Sequence, residues 1–233
     1  MREGGGQREK KGGERGGNDS SDGGVTRERA RAGMNDKKGA VEVAMETNNK
    51  NRVLEEMWDE LREEDKRREG GVGKGVYRSL DGGVTWQRLE GGLPVSGPTI
   101  GRIGMALAPA NPQRLYVIVN QTSGFFQGFY QSDNGGDTWT KLPTNSTLSG
   151  AQSSYGWWFS RLWVDPLDQT HVFAAGIYLC ESKNSGSTFT GSFSPHADHH
   201  AMAWDRKVPG RVYLGNDGGT SRPVANGSTV QWT

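Results

Sequence analysis

The chain holds 233 residues with 36 glycines and only 32% hydrophobic residues, and its 28 Lys and Arg nearly balance 27 Asp and Glu. That balance leaves no broadly basic surface for nucleic acid and no self-repelling acidic chain. No apolar run approaches the ~18–20 residues of a membrane span, Met1-Arg2-Glu3-Gly4 opens no signal peptide, and Cys180 alone makes neither a disulfide nor a cysteine-cluster zinc site.

Residues 1–74 carry 17 Lys/Arg and 17 Asp/Glu but only one tryptophan, Trp58, whereas seven of the eight tryptophans follow residue 75. Residues 1–34 are Gly, Arg, Glu, Lys, Asp and Ser with scarcely an apolar side chain. Such a segment buries too little surface to offset ~1–2 kcal/mol per residue of backbone entropy, so a disordered, polyampholytic tail is expected over 1–34. Farther on, Leu54, Met57, Trp58 and Leu61 fall at helical spacing, and Glu63/Arg67 and Glu64/Arg68 form i,i+4 pairs. The pattern predicts a helix over 52–68.

From residue 75 onward the chain repeats. Ser79-Leu80-Asp81-Gly82-Gly83-Val84-Thr85-Trp86 recurs as Ser132-Asp133-Asn134-Gly135-Gly136-Asp137-Thr138-Trp139, and more weakly as Ser182-Lys183-Asn184-Ser185-Gly186-Ser187-Thr188-Phe189. Asn226-Gly227-Ser228-Thr229 with Trp232 is a last echo, and the Asp/Asn positions 81, 134, 184 and 226 are spaced by 53, 50 and 42. Before the later boxes, an apolar run passes through an Asx/Pro turn into a second run. Ile103, Met105 and Leu107 lead through Asn111-Pro112 to Leu115–Val119; Leu162-Trp163-Val164 leads through Asp165-Pro166 to Val172–Ala175. Alternation broken by such turns means strands and hairpins, and about four short strands every ~40–50 residues is the pattern of a propeller blade.

The box residues answer to turn physics. Glycine is needed where the backbone enters positive φ, as at Gly83 and Gly136, and Asp81 or Asn134 can accept N–H groups across the turn. Ser79, Thr85, Ser132 and Thr138 supply hydroxyls for the remaining turn groups, and Trp86 or Trp139 supplies an apolar anchor. The boxes are assigned to folding.

Ser-x-Asp-x-Gly-x-Thr-Trp resembles the Asp-box of BNR-type β-propellers, a group that includes sialidases, sortilin-type receptors and xyloglucanase-type glycoside hydrolases. Gly75-Val76-Tyr77-Arg78 before the first box, and His196-Ala197-Asp198-His199-His200 before Gly215-Asn216-Asp217-Gly218-Gly219, is similar to the sortilin-like and xyloglucanase-like repeat proteins. The resemblance implies an all-β fold over 35–233, a partial propeller with blades at about 39–90, 101–142, 157–193 and 199–233. It also implies a first strand at Gly39–Met45 and a second ending near Trp58, followed by an insertion to Gly70, in place of the helix. Propellers typically close with ~4–8 blades, so four units, the outer ones imperfect, lead one to expect an incomplete ring and a fragment of a longer product. An extracellular or periplasmic location is implied by the family alone.

Three candidate sites stand outside the boxes. His196, Asp198, His199 and His200 crowd into five residues. Adjacent His199 and His200 would point to opposite faces of a strand, so lining a ligand site is expected of His196 and His199, with no metal and no cofactor. Tyr155-Gly156-Trp157-Trp158-Phe159 is an aromatic cluster: Tyr155, Trp157 and Trp158 suit a carbohydrate platform, and alternate buried positions of a strand are the other reading. Asp217 resembles a catalytic carboxylate of the xyloglucanase type, and Asp198 is its best partner, because glycoside hydrolysis needs two carboxylates flanking one bond. In that family the two acids come from separate propellers. The expected function is therefore carbohydrate binding, or a degenerate or partial polysaccharide hydrolase acting on a polysaccharide or oligosaccharide, without turnover by this chain alone. A sortilin-like domain binding a protein or peptide is the alternative. An exo-sialidase fits least, since Arg102, Arg114, Arg161 and Arg211 form no matching arginine motif.

Overall fold

The computed structural model describes residues 18–19, 28–29, 38–46, 49–63, 66–69, 74–94, 99–143, 146–192, 195–205, 207–208, 210–226 and 229–232. The tail expected over 1–34 lies almost wholly outside these residues; within it, β1 (Asn18–Asp19) pairs antiparallel with β2 (Glu28–Arg29). Four antiparallel sheets follow in chain order as blades. The first contains β3 (Lys38–Glu46) and β4 (Asn49–Glu63), with β5 (Lys66–Glu69) folded back on the far end of β4, then β6 (Gly75–Ser79) and β7 (Gln87–Leu89). The second is β8 (Ile100–Leu107), β9 (Leu115–Gln121), β10 (Phe126–Ser132) and β11 (Thr140–Lys141). Helix α1 (Ser146–Gln152) leads to the third, β12 (Arg161–Val164), β13 (Val172–Ala175), β14 (Leu179–Ser182) and β15 (Thr190–Ser192). The fourth holds three strands, β16 (His199–Trp204), β17 (Val212–Asn216) and β18 (Gly219–Ser221), and β19 (Pro223–Asn226) with β20 (Thr229–Trp232) forms a separate hairpin. Among the described residues no helix is long and apolar enough to cross a membrane.

The helix predicted over 52–68 is a strand pair. Leu54 pairs with Ala44 on β3 and with Arg78 on β6, and its side chain is fully buried. Two flanking ladders plus that burial outweigh i,i+4 ion pairs worth only ~0.2–0.5 kcal/mol each. In the fourth unit the expected box turn at Gly227-Ser228 lies outside the described residues. Pro223 opens β19 there, and a residue without an N–H cannot extend the β17–β18 ladder.

The cores lie between blades. Leu115, Val117 and Val119 of β9 face a core shared with Leu54, Val76 and Leu89 of the first blade. The alternate residues Tyr116 and Ile118 face a second core with Leu162, Val164, Val172 and Ala174 of the third. On β13 the same alternation sends Phe173 and Ala175 into a third core with Leu214, Met202 and Trp204. These strands read as continuous apolar runs because both faces are covered.

The three boxes make one repeated network. Ser79 Oγ accepts the Gly83 N–H at 2.8 Å, and the Thr85 N–H donates to Asp81 Oδ1 at 2.8 Å. Ser132 and Asn134 hold Gly136 and Thr138 in the same way at 2.9 and 2.9 Å, and Ser182 and Asn184 hold Gly186 and Thr188 at 2.8 and 2.9 Å. Positive φ recurs at Gly82 and Gly83, at Gly135 and Gly136, and at Ser185 and Gly186. Each turn is also pinned to the start of the neighbouring strand of its own blade: the N–H groups of Gly82, Gly135 and Ser185 donate to the carbonyls of Asn51, Gln113 and Thr170 at 2.8, 2.9 and 2.9 Å. The hydroxyl and N–H of Thr85, with the Ser79 hydroxyl, push the Asp81 carboxyl down to about 2.

The tryptophans differ in depth. Trp139 is 7% exposed in the core between the first and second blades, whereas Trp86 is only half-buried, though both indoles donate to the carbonyl of a box glycine, Gly136 or Gly83. Trp139→Ala is therefore expected to cost ~3–5 kcal/mol and Trp86→Ala roughly 1–2 kcal/mol, read by denaturant unfolding. Equal losses would show that box position, rather than depth in the inter-blade core, sets the cost.

Candidate functional site

The aromatic cluster is a turn ahead of β12, and the strand alternative for it does not hold. Trp158 and Phe159 donate their N–H groups to the Tyr155 carbonyl at 2.9 and 3.2 Å, which coils the segment tightly. Ser153 and Ser160 flank it with φ of 49° and 51°, a region side-chain-bearing residues seldom occupy. The turn is fastened from below. Asn120 Nδ2 donates to Ser160 Oγ, Ser160 Oγ donates to the Gly156 carbonyl at 2.5 Å, and the Gly156 N–H donates to the Gly124 carbonyl at 3.0 Å. A Cβ on Gly156 would collide with that carbonyl and with Asn120, so only glycine lets the turn settle here. Phe159 is buried, while Tyr155 and Trp158 are 49% and 51% exposed. Trp157 lies against both, its ring centroid 6.4 Å from that of Tyr155 and 5.6 Å from that of Trp158.

The fourth blade brings the acidic residues to the same place. Asp198, just before β16, donates its N–H to the Ile177 carbonyl at 3.1 Å, tying the fourth blade to the third. Asp217, just after β17, donates its own N–H to the Asp198 carbonyl at 3.3 Å. The pairing of His199 with Asn216 sets this juxtaposition of two residues 19 positions apart in sequence. Tyr155, Trp157, Trp158, Asp198 and Asp217, with Phe159, Ile177, Ala197 and His200, line one cavity of about 580 Å³.

The histidines divide otherwise than the sequence led one to expect. His199 is fully buried and does not line the cavity; neither ring nitrogen has a hydrogen-bond partner. Burial, with smaller contributions from His200 and His196, pushes its pKa down to about 4. His196 is exposed and packs on Gly218, where a Cβ would come within 2.6 Å of its own. The histidine in the cavity is His200, its Nε2 2.6 Å from Asp217 Oδ1 and its ring over Phe159 at 5.6 Å between centroids. His199 and His200 lie on opposite sides, His199 in the interior and His200 in the cavity, at a point where the β16–β17 ladder is irregular; adjacent positions in the sequence do not say which side is which. Among the described residues no three His, Cys, Asp or Glu side chains come together as metal ligands.

No family model and no curated protein matches the chain. Its fold is similar to solved β-propellers. An ancestral GH74 enzyme superposes with a TM-score of 0.56 at 15% identity, covering 84% of this chain and 25% of that one. The GH74 xyloglucanase of Xanthomonas campestris superposes at 0.54 with 17% identity, covering 82% and 29%. YCF48 bound to D1 peptide superposes at 0.50 with 11% identity, covering 84% and 52%. The chain thus has the fold of consecutive propeller blades and spans between a quarter and a third of the two GH74 chains.

The His199 environment fixes a pH dependence. Above about pH 6.5 the imidazole is neutral folded and unfolded; as pH falls toward about 4, the unfolded chain takes a proton that the native state refuses, so stability falls. At ~1.36 kcal/mol per unit of pKa difference, the loss is on the order of 3 kcal/mol. His199→Leu should flatten the fall in unfolding free energy between about pH 7 and about pH 4.5. An unchanged slope would mean that His199 is protonated in the folded protein.

Proposed function

We propose that this chain is a portion of a BNR/Asp-box propeller of the xyloglucanase-like kind, and that it binds a polysaccharide or oligosaccharide in the cavity beside the third and fourth blades. One observation carries the reading: two half-exposed aromatic rings and a third between them share a 580 Å³ cavity with two carboxylates. Aromatic faces stack on the C–H surfaces of sugars, and carboxylates accept from hydroxyls, so this wall chemistry suits a pyranose. The proposed role is recognition without turnover. A hydrolase needs an acid and a base on opposite sides of the scissile bond, whereas Asp198 and Asp217 are backbone neighbours at the adjoining ends of paired strands and Asp217 already holds His200.

The second reading is a protein- or peptide-binding propeller of the sortilin-like kind. YCF48, similar in fold, was solved with D1 peptide bound, which favours keeping peptides in the test.

Titration of the full chain with xyloglucan and cellulose oligosaccharides, followed by tryptophan fluorescence and calorimetry, should show saturable binding. Trp158→Ala should weaken it roughly three- to tenfold with the melting temperature unchanged, the usual worth of one exposed aromatic contact. Reducing-end release abolished by Asp217→Asn would overturn recognition without turnover; binding of peptides and of no saccharide would overturn the saccharide reading.

A further inference from the structure

The cavity has a charge imbalance that a neutral sugar leaves unanswered. Among the described residues, its lining holds two carboxylates and one imidazole, and no lysine or arginine. The imidazole belongs to Asp217, because His200 Nε2 sits 2.6 Å from that carboxylate. Asp198 has nothing equivalent: among the described residues its carboxylate makes no hydrogen bond and no ion pair, although its backbone is held at both N–H and carbonyl. The residue also sits at φ 67°, in the left-handed region, so the fold keeps it in a costly conformation at the cavity wall. In the same cavity wall, Trp157 and Trp158 meet edge to face at 64°, forming an aromatic corner.

A cavity that holds both a partnerless carboxylate and aromatic rings can recognise an ammonium group, by ion pairing and by cation–π attraction together. We propose that the cavity takes a β-linked oligosaccharide of amino sugars, with a protonated amine received by Asp198 and the corner of Trp157 and Trp158. This rests on the saccharide reading and names its ligand class. The half-exposed faces of Tyr155 and Trp158 supply a sugar-stacking platform for neighbouring rings, which favours a saccharide over a lysine side chain.

The test is calorimetric titration of the full chain with three probes of equal length: a β-linked glucosamine tetramer, its fully N-acetylated form and the corresponding glucose tetramer. The glucosamine tetramer should bind about three- to tenfold more tightly than either uncharged probe, and added salt should erase the difference. Asp198→Asn should erase it too, without loss of fold, because asparagine tolerates the left-handed backbone as readily as aspartate. Trp158→Ala should weaken all three probes. Equal affinity for the three would overturn the amine proposal and leave the saccharide reading standing. Silence with all three would overturn both, as would binding of a lysine-rich peptide in their place.

Discussion

Face-to-face burial of β9 and β13 is what the rest of the molecule depends on. Leu115 through Val119 send alternate side chains into two different cores, and Val172 through Ala175 do the same one blade later. A sheet with two apolar faces cannot stand alone in water, so each blade is stable only against its neighbours. At the ends of the row, Val43 and Met45 on the first sheet and Tyr213 on the last remain exposed. The polar chemistry is organised around the same constraint. Arg78, on β6, donates to the Gly135 carbonyl at 3.0 Å and pairs with Asp137 at 2.8 Å, so the turn of one blade receives a cation from the blade before it. Arg114 repeats the arrangement one step on, reaching Ser185 Oγ at 3.0 Å.

How much of this was legible depended on how far apart the deciding partners lie. The boxes were readable because the side-chain bonds that close each turn join residues within four positions: Ser79 with Gly83, Asp81 with Thr85, and their copies; the longer bonds to Asn51, Gln113 and Thr170 place the turns without setting their residue types. Local chemistry leaves local traces. The stretch from Leu54 to Leu61 was misread as a helix because its partners, Ala44 and Arg78, lie 10 and 24 positions away, and apolar spacing alone cannot report them. Trp86 and Trp139 occupy the same box position, yet only Trp139 has another blade's core to enter. No pattern within a box distinguishes the two.

The candidate site was legible in its parts and not in its arrangement. Tyr155, Trp157 and Trp158 were singled out by residue type, Asp217 by a family resemblance and Asp198 as its partner, and all five line one cavity. His200 was passed over in favour of His199, since alternation puts adjacent strand residues on opposite faces without saying which face is the cavity. The consequences for the two rings are opposite: one is sealed and neutral, the other bonded to a carboxylate in the cavity. A one-residue change of facing therefore decides which histidine has chemistry available to it.

Rigidity ties the fold to the site. A cluster of large aromatic rings on a free loop would collapse on itself or lose rotamer entropy on meeting a ligand, and both reduce affinity. Here the turn cannot relax. Asn120 reaches it from β9, the strand buried on both faces, and holds Ser160. Ser160 and Gly124 hold Gly156, between Tyr155 and Trp157. Two serines at positive φ mark where the chain is bent to meet those bonds. The strain at Ser153 and Ser160, of order 1–3 kcal/mol each, persists only because the surrounding packing over-determines it. The doubly buried strand that makes each blade depend on its neighbours is thus also the anchor that keeps Tyr155 and Trp158 half-exposed. Inter-blade packing and the shape of the cavity are consequences of one constraint.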